Sequence, residues 1–122
     1  MKIYVGHSSG FDFKTELYLP IRNSDLNKHH EIVLPHENSE EPFDSKTYLR
    51  SADAMIAEVS FPSTGLGIEL GWADMNNVPI LLVYREGMKI SRSLTVVSEH
   101  LVSYRDTDQL ITAIDSFLHS LN

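Results

Sequence analysis

The chain contains no cysteine, which excludes disulfides, thiolate metal sites and a cysteine nucleophile, and fits a reducing compartment. No apolar run is long enough to span a bilayer and the amino terminus carries no signal pattern, so a soluble, cytoplasmic protein with no membrane partner is expected. Positive charge is also scarce: 10 Lys and Arg stand against 17 Asp and Glu, for a formal net charge of −7. That balance argues against a nucleic-acid backbone as partner. It leaves room for a small anion, because backbone N–H groups at a helix N-terminus bind one without any net positive charge. There are no internal repeats and no low-complexity tract. What remains is 122 residues with 42% hydrophobic content, enough for a single domain over 1–122 with one core.

Short apolar runs alternate with longer amphipathic stretches, the pattern of an α/β protein with a parallel sheet. Strands are expected at 2–5, 31–34, 54–59, 80–84 and 101–104. Helices are expected at 14–27, with Pro20 bending or dividing it, briefly at 44–51, then at 65–76 and 107–121. A polar loop covers 35–41. Five strands in this order suggest a flavodoxin-like, Rossmann-like three-layer fold with a five-stranded parallel sheet, order 2-1-3-4-5. In such sheets a ligand sits over the carboxyl ends of the strands, near the switch point between the first and third. The turn Gly6-His7-Ser8-Ser9-Gly10 would then face the turn from Ser60 to Gly67.

Residues 52–73 carry the most information. A short apolar strand ends before Pro62; Ser63 and Thr64 can cap the following helix, and Gly65 and Gly67 let a ligand approach the backbone. The first helical turn offers unpaired N–H groups and a positive dipole end suited to a phosphate. Glu69 lies about one turn further in. Taken bare, a Gly-x-Gly turn before a helix is a weak signal, and on spacing alone a tight turn with a surface glutamate is the slightly better account of it. His29, His30 and His36 cluster in sequence beside Glu37, but their spacing matches no ligand pattern, so no metal site is expected. His36 and Glu37 could border a pocket at the end of the second strand. Glu58, inside the third strand, reads as an inward-facing structural group with a partner.

The whole stretch Ala52-Asp53 to Gly71-Trp72-Ala73, with Ala57-Glu58-Val59-Ser60, Pro62-Ser63 and Gly65-Leu66-Gly67-Ile68-Glu69-Leu70 inside it, resembles the nucleoside 2-deoxyribosyltransferase superfamily, nearest its 2′-deoxynucleoside 5′-phosphate N-hydrolase branch. The resemblance implies that Glu69 is the nucleophile at the sugar C1′ and that Ser63 binds a 5′-phosphate. It implies that Gly6, Ser8, Ser9 and Gly10, with Gly65 and Gly67, hold the substrate. The family's assisting aspartate falls on Ser45 when counted without gaps, and Asp44 serves if the register shifts by one. The branch's first-strand tyrosine falls on Ile3; Tyr4 is adjacent but on the opposite face of the strand. A serine that the family takes from the neighbouring subunit corresponds to Ser91 or Ser93, which implies a homodimer. Lys89 and Arg92 could add positive charge there. No cofactor is implied.

The expected activity is cleavage of (deoxy)nucleoside 5′-monophosphates to base and (deoxy)ribose 5-phosphate, with a small-molecule nucleotide or nucleoside as the partner. Transfer of the sugar to another base is the near variant. The opening Lys2-Ile3-Tyr4-Val5-Gly6-His7-Ser8-Ser9, with Phe11-Asp12, is also similar to the start of a TIR domain, some of which hydrolyse NAD. A nucleotide-binding module without catalysis is the third reading.

Overall fold

A computed structural model describes all 122 residues. The parallel sheet runs β2-β1-β3-β4-β5, with β1 at Lys2–His7, β2 at Glu31–Val33, β3 at Ala54–Glu58, β4 at Ile80–Arg85 and β5 at Leu101–Tyr104. Strand β1 pairs with β2 from Lys2↔Glu31 and with β3 from Ile3↔Ala54, so the switch point lies between β1 and β3 as the sequence implied. Helices α1 (Leu19–Arg22), α2 (Leu26–His29) and α6 (Thr107–Ser120) cover one face of the sheet. The other face takes α3 (Ser45–Tyr48), α4 (Thr64–Met75) and α5 (Leu94–Val97).

Because successive strand residues point to opposite faces, each central strand supplies both cores. Ile3, Val5, Ile56, Leu81 and Val83 pack under Leu110, Ile114 and Phe117 of α6. Tyr4, Met55, Ala57, Ile80 and Leu82 pack under Leu66, Leu70 and Ala73 of α4. No helix is long and apolar enough to cross a membrane.

Three departures from the sequence reading have local causes. Strand β1 continues two residues past Val5, so Gly6 and His7 belong to the sheet and the turn starts at Ser8. The helix expected over 14–27 is broken. Pro20 cannot donate to the carbonyl four residues back and its ring crowds that turn, which widens into a π turn at Lys14–Tyr18, with the Leu19 N–H reaching Lys14 O. The break itself falls at 23–25. There Ser24 Oγ and Asn27 Nδ2 both donate to Ile21 O at 2.6 Å and take over the carbonyl that would continue the helix. The third departure is α5, a single turn at Leu94–Val97 where no helix was expected.

Candidate active site

The chemistry-bearing groups gather over the carboxyl ends of β1 and β3. The alternation of β1 sends Tyr4 and Gly6 towards α4, while Ile3 and Val5 face α6. Tyr4 is buried, with its ring 5.9 Å from Phe43 and 6.1 Å from Tyr48, and its hydroxyl donates to Glu69 Oε2. Burial, then the charge and hydrogen bond of Glu69, push the phenol far above its ordinary value, with the Ser45 hydroxyl acting in the opposite direction. Tyr4 therefore keeps its proton and serves Glu69 as a fixed donor. The sequence reading had put the tyrosine match at Ile3 and Tyr4 on the wrong face. In the structure it is Ile3 that faces away, and Tyr4 that reaches the carboxylate.

Gly6 explains how α4 comes so close. A Cβ there would stand 2.7 Å from Met55 Cε, 3.1 Å from Leu66 Cδ1 and 3.4 Å from Glu69 Oε1. At the start of α4, Ser63 is extended and its Oγ accepts from Leu66 N at 3.4 Å. A Cβ on Gly65 or Gly67 would meet nothing within 4 Å. These two glycines are not required by packing; they leave the first turn of α4 bare on its outer side.

A cavity of about 320 Å³ opens here. Its lining draws Tyr4 and His7 from β1, Ser9 from the loop after it, His36 from the loop after β2, Ser63 and Gly65 from the start of α4, and Glu69 and Trp72 from further along α4, with Phe43 and Ser45 beside them. His36 is held in place by its neighbours: its backbone N–H donates to Tyr18 Oη at 3.1 Å, and Glu37 makes a two-pronged pair with Arg22 at 2.7 and 2.9 Å. That pair holds the Glu37 carboxyl below the usual range and directs Glu37 away from the cavity it was expected to border.

His7 is fully engaged. Tyr18 Oη, having accepted from His36 N, gives its own proton to His7 Nε2 at 2.6 Å, which puts the imidazole proton on Nδ1, facing Ser8 O at 2.8 Å. Burial lowers the His7 pKa and pushes that of Tyr18 up to about 12.

Of the residues singled out in the sequence, Glu69, Ser63, Gly65 and Ser9 line this cavity. Gly6 lies beneath it in β1. Ser8 is buried and its Oγ accepts from Gly10 N at 3.0 Å, so Ser8 and Gly10 shape the turn without facing the cavity. Asp44 does not join the group. It is the N-cap of α3, exposed, with its carboxylate accepting from Thr47 N at 3.2 Å, and those Thr47 hydrogen bonds hold its carboxyl below the usual range. Ser45, one step on, is buried and lines the cavity in its place.

Ser91 and Ser93 are exposed, hydrogen-bond to each other at 2.8 Å, and line a separate groove of about 240 Å³ with Gly67 and Lys89. The two concavities share Ser63 and Leu66. Glu58 is buried as expected, accepting from Ser60 N at 2.6 Å, from Ser60 Oγ at 3.0 Å and from Tyr104 Oη.

A larger concavity, about 720 Å³, lies between α2 and α6 and is edged by His29, His30 and His119. No three His, Asp or Glu side chains anywhere in the chain converge as a metal-binding group. Phe43, Trp72 and Tyr18 had not been singled out. Only Trp72, inside the Gly-x-Gly-x-Glu block and one turn beyond Glu69, carried a positional signal.

No family model matches the chain. It is similar to two curated proteins, each named "Putative 2′-deoxynucleoside 5′-phosphate N-hydrolase 1". The one from Thermofilum pendens is 36% identical over 75 residues, 57% of this chain and 52% of that protein. The one from Syntrophotalea carbinolica is 43% identical over 49 residues, 40% of this chain and 34% of that protein. The chain thus matches about half of the first and about a third of the second. Among solved structures, a Clostridium botulinum CMP N-glycosidase, BcmB, superposes with a TM-score of 0.66 over 94% of this chain and 99% of that one, at 22% identity, which shows a shared fold.

Proposed function

We propose, from the resemblance to the nucleoside 2-deoxyribosyltransferase superfamily that these relatives bear out, that the chain cleaves the N-glycosidic bond of (deoxy)nucleoside 5′-monophosphates. The observation that supports this most directly is the Glu69 carboxylate, held by Tyr4 in the lining of a cavity that also contains the bare first turn of α4. The 5′-phosphate would take the N–H groups of that turn and the Ser63 hydroxyl. A Glu69 oxygen attacks C1′; the C1′–N bond breaks through an oxocarbenium-like transition state, and its electron pair leaves on the base. The departing nitrogen is protonated by water. Water then hydrolyses the glycosyl ester, releasing the sugar 5-phosphate and restoring Glu69.

With Asp44 engaged as a helix cap, a nucleotide-binding module without turnover is the second reading. Ser91 and Ser93 lie outside the Glu69 cavity of their own chain, in the groove that shares Ser63 with it; it is the resemblance that gives a part for either in phosphate binding to a second copy. The outer face of α4 suits such a homodimer: Ile68 is 48% and Met75 82% exposed, on the same face as Trp72.

The test is a chromatographic screen for base released from deoxynucleoside and ribonucleoside 5′-monophosphates, free deoxynucleosides and NAD, with Glu69→Gln as control. Release from a monophosphate that disappears in the folded variant is the expected result. Release that persists removes Glu69 as nucleophile, and binding without release favours the second reading.

A further inference from the structure

One group of side chains beside the cavity plays no part in that chemistry. Arg85, at the end of β4, sends its guanidinium over the rings of Phe11, at 5.1 Å, and Phe61, at 5.3 Å. The two rings stack on each other at 5.3 Å and 24°. Phe11 belongs to the loop after β1, which carries Ser9; Phe61 belongs to the loop after β3, which carries Ser63. On the far side the guanidinium pairs with Glu16 at 2.7 Å, in the π turn that ends the first loop. Its backbone is fixed as well, because Arg85 N donates to Ser60 Oγ at 2.8 Å, and Ser60 donates onward to the buried Glu58.

We propose that Arg85 is a positioning residue, a latch whose guanidinium clamps the Ser9 loop to the Ser63 loop and so sets the width of the cavity above Glu69. The physical case rests on how little else joins the two loops. Phe11 and Phe61 are only partly buried, and stacking alone holds them together weakly. A cation over both rings adds a second attraction, and Glu16 keeps that cation from swinging into solvent. Its chemistry is that of an arginine, since a planar guanidinium can lie over two rings and pair with a carboxylate at once. Ser9 and Ser63 both line the cavity, one from each loop, so separating the loops would widen it while Glu69 keeps its hydrogen bond from Tyr4.

The loop-clamping part of this inference stands on geometry; its consequence for substrate rests on the proposed N-glycosidase reading. The experiment has one arm for each. Residue-resolved amide exchange on the full chain compares wild type with Arg85→Met, Arg85→Lys and Glu16→Gln. Gly10 and Phe13, whose amides are hydrogen-bonded inside the first loop, and Leu66, whose amide is held by Ser63 at the start of α4, report on the latch.

Arg85→Met keeps the strand and the backbone bond to Ser60. It is expected to speed exchange at these amides about tenfold while leaving the interiors of β1, β3 and α6 unchanged. Arg85→Lys, which keeps the charge but not the planar fork, restores only part of the protection, and Glu16→Gln gives a smaller rise at the same amides. In the kinetic arm, Arg85→Met raises KM for the monophosphate about tenfold with kcat within about threefold.

Unchanged exchange at both loops in Arg85→Met overturns the latch, as does a uniform rise across the sheet that lysine fails to rescue. If Arg85→Met does not fold, an unchanged Glu16→Gln overturns it equally. If wild type turns over no nucleotide, the N-glycosidase reading fails while the exchange arm still decides the latch.

Discussion

Replacing Gly6 with alanine tests whether the close approach of α4 to β1 is what holds Glu69 over the sheet. The added Cβ would stand 2.7 Å from Met55 Cε and 3.1 Å from Leu66 Cδ1, both closer than carbon atoms rest, while its 3.4 Å from Glu69 Oε1 is ordinary contact. The Met55 end is a flexible thioether that can swing aside. Leu66 is buried on α4, so its side chain has little room to give, and what it does not absorb is passed to the helix. Overpacking on this scale costs about 1–3 kcal/mol, and alanine recovers about 0.5–1 kcal/mol of backbone freedom lost by a strand glycine. The net loss is about 0–2.5 kcal/mol, or up to about 10 °C in Tm for a domain of this size. Displacing α4 also displaces the carboxylate, so base release should fall on the order of 10- to 100-fold. Calorimetry and the base-release assay read the two effects. A Met55→Leu background, which removes Cε, should return about 0.5–1 kcal/mol as coupling in a double-mutant cycle. An unchanged Tm with full turnover, or strict additivity with Met55→Leu, would refute the reasoning.

Two further outcomes follow from the site. Ser63→Ala removes a hydrogen bond to an anion and the α4 cap together. Affinity for monophosphates should fall by about 1.5–3 kcal/mol and that for free nucleosides far less, measured by titration calorimetry; equal losses would count against a phosphate role. His7 has its pKa lowered by burial, so the unfolded chain takes up a proton first as the pH falls below the ordinary value of 6.5. Its contribution to stability is complete above that value and is lost as the pH drops from there to the folded-state pKa. His30, lowered mainly by burial and by the nearby amino-terminal charge, adds a loss of the same sign. The urea midpoint should therefore decline between pH 7.5 and 5, and less steeply in His7→Gln; an identical slope in the variant would show that His7 is not the linked group.

The sheet order was legible because β1, β3 and β4 are short apolar runs bounded by turn residues and buried on both faces, with the more exposed β2 and β5 at the edges. Ser63 as the cap of α4 and Asp106 as the unspoken cap of α6 show how reliably a hydroxyl or carboxylate before an apolar stretch marks a helix start. In the first helix the disturbance at Pro20 was legible and takes the form of a π turn, whereas the stop at 23–25 was not, because it depends on where Ser24 and Asn27 direct their side chains. Tyr4 was misread for a different reason. Matching by sequence favoured Ile3, yet in a strand a shift of one residue exchanges the faces, and only the packing of β1 under α4 decides which residue sees Glu69. The latch around Arg85 was invisible, since it joins residues 11, 16, 61 and 85 that share no spacing.

The same one-residue logic governs Asp44 and Ser45, where the candidate site departs furthest from the pattern it resembles. On a helix one step rotates a side chain by about 100 degrees. A residue that caps α3 must be non-helical and turned back onto its own N–H groups, so Asp44 cannot both cap the helix and reach the cavity. Ser45 occupies the inward position, buried beside the Tyr4 hydroxyl. Ser45→Asp would bring a carboxyl to that position, joined to Glu69 through Tyr4. Two carboxyls in one partly buried site cannot both ionise freely, so one of them holds its proton to higher pH and can hand it to the departing base. The expected result is a kcat at least about tenfold above wild type, with a descending limb at high pH that wild type lacks, at a stability cost of about 1–3 kcal/mol for burying the new polar group. Asp44→Ala should leave kcat unchanged. A kcat and pH profile indifferent to Ser45→Asp would mean that proton donation to the base is not what limits this site. A collapse of turnover in Asp44→Ala would instead return the acid to position 44, and require α3 to unwind by one residue when substrate binds.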